Sequence, residues 1–322
     1  MKISSFIRIV LILLCFVVPI RRTLALTVSP AKIEIQADPG TIVSGEFLVV
    51  NDESGTKTFY TSAENFEAQG ETGTPNFVPG KEGLASWVNV APEVVLNKGE
   101  QKKIPFTIQV PKSAEAGGHF AAIFLTTIPP VNTSNQVSVG SKIGILLLLR
   151  VSGPIKEGGG LLEFSMENNK RFYTALPVSM MYRFQNSGND RVKPEGTLKI
   201  KNSLFLTAFE GPGNPSEGNI LPGSVRKFNL EWKKSEVPTG PVGFIGALKN
   251  EWNNFALGFY TANLNLMYGS KADTASMSTT FFVFPWHVML VGVIIIAALL
   301  FLLSRIIKRY NRWIIEKSRS VA

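Results

Sequence analysis

Apolar and polar positions alternate along most of this chain. In Leu96–Val110, LNKGEQKKIPFTIQV, the residues Ile104, Phe106, Ile108 and Val110 are apolar, and Lys103, Thr107 and Gln109 between them are polar. A two-residue period marks a strand with one buried face. Runs of this kind recur as AKIEI, GEFLVV, KTFYTSAENF, SWVNV, KKIPFTIQV and GHFAAIFLTT. KIGILLLLRV joins them as an unbroken apolar run, which predicts a strand buried on both faces. Gly, Pro, Asn and Asp punctuate these runs, and seven in about 125 residues predict a β-sandwich.

SGPIKEGGG, Ser152–Gly160, breaks the pattern and marks the domain boundary. A second set follows: LLEFSM, LPVSMMYRFQN, EGTLKIKN, SVRKFNLEW, PVGFIGAL, LGFYTANLNLMY and ASMSTTFFVF. In its sixth run Tyr260, Ala262, Leu264, Leu266 and Tyr268 form one apolar face. Each set places a strand ending in an Asn turn early, LVVNDESG and YRFQNSGN, and a Leu-led glycine turn later, LNKGEQKKIPF and LPGSVRKFNLEW. Equivalent features in equivalent order predict two tandem immunoglobulin-like sandwiches in an all-β architecture. Pro105 has no amide hydrogen, so its position should face an edge or a bulge.

Both ends are apolar. Lys2 and Arg8 precede an apolar core, Ile9–Ile20, and Thr23 and Ala25 are small residues suited to cleavage. This is a secretory signal pattern, with an uncleaved anchor as the alternative because Arg21 and Arg22 follow the core. Phe281–Leu303 carries no Lys, Arg, Asp or Glu, and a helix needs about 20 apolar residues to cross a bilayer. Trp286 stands at its outer interface, and Arg305, Lys308, Arg309 and Arg312 follow it as a basic amphipathic extension suited to anionic lipid. The expected layout is signal peptide 1–25, distal sandwich 26–153, linker 154–160, membrane-proximal sandwich 161–280, transmembrane helix 281–304 and cytoplasmic tail 305–322. The domains would lie outside a single-pass cell membrane. The tip of the distal sandwich would stand roughly 50–70 Å from the membrane if strands rise about 3.3 Å per residue.

The net charge of +9 then changes meaning. The signal holds +4 and the tail +5, leaving residues 26–304 neutral. The basic balance therefore reports topology, and no nucleic-acid partner is expected. Cys15 is the only cysteine and lies in the signal, so no disulfide, zinc-thiolate site or cysteine nucleophile is expected in the mature chain. Its environment also lacks the small residues of a lipoprotein cleavage site.

From VAPEVVLNKGEQKKIPFTIQVP through GGHFAAIFLTTIPP to KIGILLLLRVSGP, the chain resembles the first domain of periplasmic pilus chaperones. It is similar also to the peptidoglycan-binding-type domain of WxL-interacting surface proteins of Gram-positive bacteria. That family's order of signal peptide, two sandwiches, membrane helix and basic tail fits the whole chain. The resemblance implies that the first domain binds cell wall and the second binds protein partners. Pilus chaperones hold a client carboxylate with one basic residue on the first strand and one on the last strand of the first domain, and Lys32 and Arg150 could occupy those places. Pilus chaperones are soluble, so the membrane helix departs from them.

An enzyme needs titratable groups converging in a cleft, and His119 and His287 are the only histidines. His287 reads as a headgroup-level residue. His119 opens a strand after Gly117 and Gly118 and reads as a satisfied strand-end histidine or, less simply, a ligand. Metalloprotease, EF-hand, P-loop and nucleophile-elbow motifs are absent from the sequence. No cofactor, metal or small-molecule substrate is expected. Trp87, Trp232 and Trp252 are the aromatics that could stack on sugars; Trp87 and Trp232 read as strand core, Trp252 as part of a polar loop, KNEWNNF. Gly70–Gly83 reads as a long recognition loop or a solvated excursion, Val237–Pro241 as a turn, and Asn132–Ser134 as a sequon that matters only in a eukaryote.

The leading expectation is a non-enzymatic, membrane-anchored bacterial surface protein that binds cell-wall polymer or another surface protein. The ligand-binding candidates are Trp252, His119, Trp87, Lys32 and Arg150. The alternative is a tethered chaperone-like assembly factor for surface proteins or pili. It would act by strand addition at an open edge along Ile143–Val151. An enzyme built around His119 comes third.

Overall fold

The computed structural model describes residues 26–129, 142–235 and 243–319. The signal segment with Cys15, the Asn132–Ser134 sequon and the Val237–Pro241 turn lie outside them. Contacts divide the chain into two compact units, with residues 67–76 and 116–118 falling in the second.

The first sandwich runs through β1 (Leu26–Ser29), β2 (Lys32–Ala37), β3 (Ile42–Asn51), β4 (Lys57–Gln69) and β5 (Thr74–Pro79), then a helical turn α1 (Leu84–Trp87). It continues through β6 (Val88–Val90), β7 (Glu93–Leu96), β8 (Gln101–Gln109), β9 (Gly117–Thr126) and β10 (Lys142–Val151). One sheet has the order β1-β3-β8-β6, and the other β2-β10-β9-β4-β5 with β7 also beside β4. The alternating positions point inward as expected: Ile104, Phe106, Ile108 and Val110 are all buried with Phe47, Val49 and Phe59. In β10, Leu147 and Leu149 join this core, and Leu148 on the opposite face is buried too. The unbroken apolar run is therefore covered on both faces where the sequence demands it. β6 reaches only Val90, opposite Phe106, so Pro105 lies one residue past the paired stretch, where β8 has no ladder to complete on that side.

Two sequence expectations fail here. SWVNV is not one strand, because Trp87 ends α1 and only Val88–Val90 is extended. Asn65 holds this turn by accepting from Ala85 N–H at 2.9 Å and donating to Glu82 O. Gly70–Gly83 is not loop throughout, since Thr74–Pro79 forms β5, with Phe77 edge-on to Phe66 and Phe124. Aromatic packing supplies a reason for order that Gly and Pro content concealed.

The second sandwich contains β11 (Gly159–Met166), β12 (Phe172–Tyr173), β13 (Val178–Asn186), β14 (Glu195–Asn202), β15 (Thr207–Pro212) and β16 (Val225–Trp232). Helix α2 (Phe244–Asn253), strands β17 (Gly258–Tyr268) and β18 (Asp273–Val283), and helix α3 (Trp286–Arg319) complete it. The sheets have the orders β11-β13-β16 and β12-β18-β17-β14-β15. Tyr260, Ala262, Leu264 and Leu266 are buried on one face of β17, as the alternation requires. Trp232 is fully buried against Tyr260 and Phe281. PVGFIGAL was expected as a strand, but Phe244 onward is helical. Ile245, Leu248 and Trp252 recur at three and four residues, the period of a helix face, which eight residues read in isolation do not reveal.

Helix α3 is long and apolar enough to cross a membrane, and its membrane-length window is wholly unburied.

Candidate functional site

The feature of the first sandwich with binding geometry is the start of β10. The chain crosses between the two sheets at residues 29–31, leaving β1 and entering β2. β2 then runs parallel to β10, but only from Lys32 opposite Leu146 to Ala37 opposite Val151. The last bond of this seam joins Leu146 N–H to Ala31 O at 3.0 Å. Before it, Lys142–Ile145 extends beyond β2, and among the described residues no strand pairs with that edge. Among the described residues, the stretch of this β10 edge without a strand partner is thus four residues long; Leu146–Val151, expected to be open as well, is closed by β2 on one side and β9 on the other.

Both faces of this short edge are fixed. Ile145 is fully buried and Ile143 packs on the same core. On the other face, Gly144 lies under the Phe124 ring, where an added Cβ would come within 2.6 Å of the ring edge. Only glycine lets that ring approach the strand. Lys142 sets its ammonium 4.0 Å from the Phe124 centroid and 2.6 Å from Glu64 Oε1. Lys142 is exposed, and its cation covers the ring. A held, extended backbone with unpaired polar groups can accept another strand.

The other candidates are placed apart from one another. Lys32 and Arg150 do not converge: Lys32 faces Leu146 and Arg150 faces Gln36, four residues further along parallel strands, or about 13 Å. Lys32 instead bonds Glu34 at 2.6 Å. Strand register, invisible in the sequence, sets this spacing. Trp87 and His119 do come together, with ring centroids 4.8 Å apart. His119 Nε2 lies 2.9 Å from Glu115 O, and Trp87 packs on the edge of the core. These contacts satisfy His119 as a strand-end residue. Among the described residues no cluster of three or more His, Cys, Asp or Glu is placed to hold a metal.

Trp252 is not in a loop but on α2, 70% exposed. Trp286 begins α3, and its ring lies against His287. Arg305, Lys308, Arg309 and Arg312 are exposed along the last turns of α3, with Arg305 over the Phe301 ring. The His287 side chain is turned into the protein: its Nδ1 meets Glu251 Oε1 at 2.6 Å, and it is mostly buried. Glu251 Oε2 also accepts from Val288 N–H at 3.0 Å, so a buried carboxylate caps the N-terminus of α3. Glu251 escaped sequence reasoning because one acid between Asn250 and Trp252 reads as surface. Its helical spacing from Phe244 was the available cue.

No family model and no curated protein matches this chain. Among solved structures it is similar to the class 5 fimbriae chaperone CfaA, with 14% identity and a TM-score of 0.37 over 80% of this chain and 99% of that one. It is similar to a chain of the CsuC–CsuE chaperone-tip adhesion subunit pre-assembly complex of Acinetobacter baumannii, with 11% identity and a TM-score of 0.38 over 79% and 97%. It is similar also to the Escherichia coli chaperone DraB, with 12% identity and a TM-score of 0.35 over 80% and 97%.

Proposed function

We propose that this chain is a non-enzymatic, membrane-tethered binding protein of a bacterial surface that takes up an extended segment of another extracytoplasmic protein. The observation that carries this reading is the open backbone edge at Lys142–Ile145, held flat by core packing of Ile143 and Ile145 and by Phe124 over Gly144. Helix α3 supplies the tether, and the basic residues at its end favour the cytoplasmic side. Strand addition draws affinity from main-chain hydrogen bonds and specificity from alternate side chains, so it needs no catalytic cluster. Of the aromatic candidates for wall polymer, Trp87 packs on the core edge, and Trp252, though exposed, stands alone on α2 at the start of the membrane helix. A protein partner is therefore favoured over a glycan.

The test is site-specific photo-crosslinking in the intact cell envelope, with the photoreactive residue at 142 or 143 and, as control, at exposed Lys103. Adducts at 142 and 143 that map to one extended segment of one protein, and are missing at 103, are expected. The same adducts at all three positions, or none at 142 and 143, would sink the proposal. Salt-resistant retention of the full chain on purified peptidoglycan, undiminished by Gly144→Pro, would favour wall polymer instead.

A further inference from the structure

Helix α2 lies across the start of α3 rather than along it. Phe244 stands 5.1 Å from the His287 ring and 6.2 Å from Trp286, while Glu251 holds His287 and Val288. Phe244 and Glu251 are seven residues apart, two helical turns or about 10 Å. Both nevertheless touch the first turn of α3. The axis of α2 must therefore cross that turn. Its remaining apolar side chains then look down the length of α3. Ile245 is 80% and Trp252 70% exposed, and with Leu248 they line an apolar groove of about 690 Å³ whose other wall is α3 from Val288 to Ile296.

A second element reaches the same end of the sandwich. Asn202 ends β14 opposite Tyr260, which pairs with Phe281, five residues before α3 begins. The turn after Asn202 exposes Leu204, Phe205 and Leu206 at 73%, 82% and 62%. It is a built turn, since Asn202 Oδ1 accepts from the N–H groups of Leu204 and Leu206 at 3.0 Å each, and Phe205 adopts a φ of 61°. Phe259 and Phe172 flank Phe282 on the outer face of the same sheet end. Large apolar groups from separate elements thus gather where the transmembrane segment leaves the domain, whereas a water-soluble surface scatters them.

We infer that this end of the second sandwich is seated in the outer leaflet of the bilayer, with α2 as an interfacial helix and Leu204–Leu206 as a second insertion point. The occupant of the groove is phospholipid acyl chain. Its surface is continuous with the lipid-facing side of α3, and the stretch from Trp286 to Arg305 spans about 30 Å at 1.5 Å per residue. With Arg305 at one interface, Trp286 and the helix crossing it lie at the other. The Glu251 carboxylate and His287, paired beneath Phe244, fix the domain's orientation on its own membrane helix. This inference rests on α3 crossing the membrane.

Spin labels on the full chain, with Cys15→Ser, in phosphatidylethanolamine–phosphatidylglycerol vesicles test it. Labels go at Ile245→Cys and Phe205→Cys, at Lys271→Cys in the turn between β17 and β18 at the far end of the sheet, and at Leu299→Cys within α3. Positions 245 and 205 should collide more with oxygen than with a water-soluble nickel chelate, at depths of about 5–10 Å. Position 271 should behave as aqueous, and 299 should lie deeper. If 245 and 205 match 271 while 299 is lipid-exposed, the seat is wrong and the span stands. Shielding of both from oxygen and nickel alike would mean that protein covers them, which also overturns the inference. An aqueous 299 would remove the span and the seat together.

Discussion

The two sandwiches close the same turn with the same side chain. Asn51 ends β3 and Asn186 ends β13, and both are fully buried. Asn51 Nδ2 donates to Leu96 O and Gly55 O at 3.0 Å, and its Oδ1 accepts from Glu53 N–H. Asn186 Nδ2 donates to Ile220 O at 3.0 Å and Asp190 O at 2.7 Å, and its Oδ1 accepts from Gly188 N–H. Each amide thus ties an early turn to the Leu-led glycine turn much later in its own domain. Four residues before each Asn stands a large core aromatic, Phe47 or Tyr182. The difference lies at the surface. Both carry strand ion pairs, such as Lys142–Glu64 in the first and Lys199–Glu210 in the second, but the second also exposes aromatic and aliphatic side chains where α3 departs. What repeats is scaffold, and what does not repeat is the surface it displays.

This comparison is breakable. Phe47→Ala and Tyr182→Ala should each cost about 3–5 kcal/mol, confined to their own sandwich. Denaturant titration with hydrogen exchange read separately for the two domains checks this. A loss shared equally by both domains, or a loss below about 1 kcal/mol, would break the equivalence. Asn51→Ala and Asn186→Ala should follow at about 1–3 kcal/mol each, because every substitution strands buried carbonyls without a donor. Markedly unequal losses would show that the two turns are alike only in outline. The smallest effect separates the two aromatics. Among the described residues the buried Tyr182 hydroxyl has no hydrogen-bond partner, and burial pushes its ionisation far above the ordinary phenol range. Tyr182→Phe should therefore leave the melting temperature unchanged or slightly raised. A drop of several degrees would refute the reading of that hydroxyl as unsatisfied.

Legibility in the sequence differed from element to element. The strands that alternate, β8 and β17, and the doubly covered β10 were readable because a side chain's facing follows from its own position in the pleat. Helix α2 was not, because its apolar face is half occupied by α3 and half exposed, so neither period dominates a short window. The same holds for Trp87, at the end of a helical turn that Asn65 holds through Ala85, twenty residues away from it.

The sequence by itself determined the strand-rich build, the repeated Asn and glycine turns, and the long apolar helix with basic residues behind it. These are consequences of local period, turn chemistry and length. Tertiary structure alone decided how far apart Lys32 and Arg150 lie, that β2 covers β10 from Leu146 onward and not before it, and that Glu251 caps α3 beneath Phe244. The reason is physical. Register and helix crossing are set by which distant residues share a buried surface, and a one-residue change in pairing would move each of these groups elsewhere.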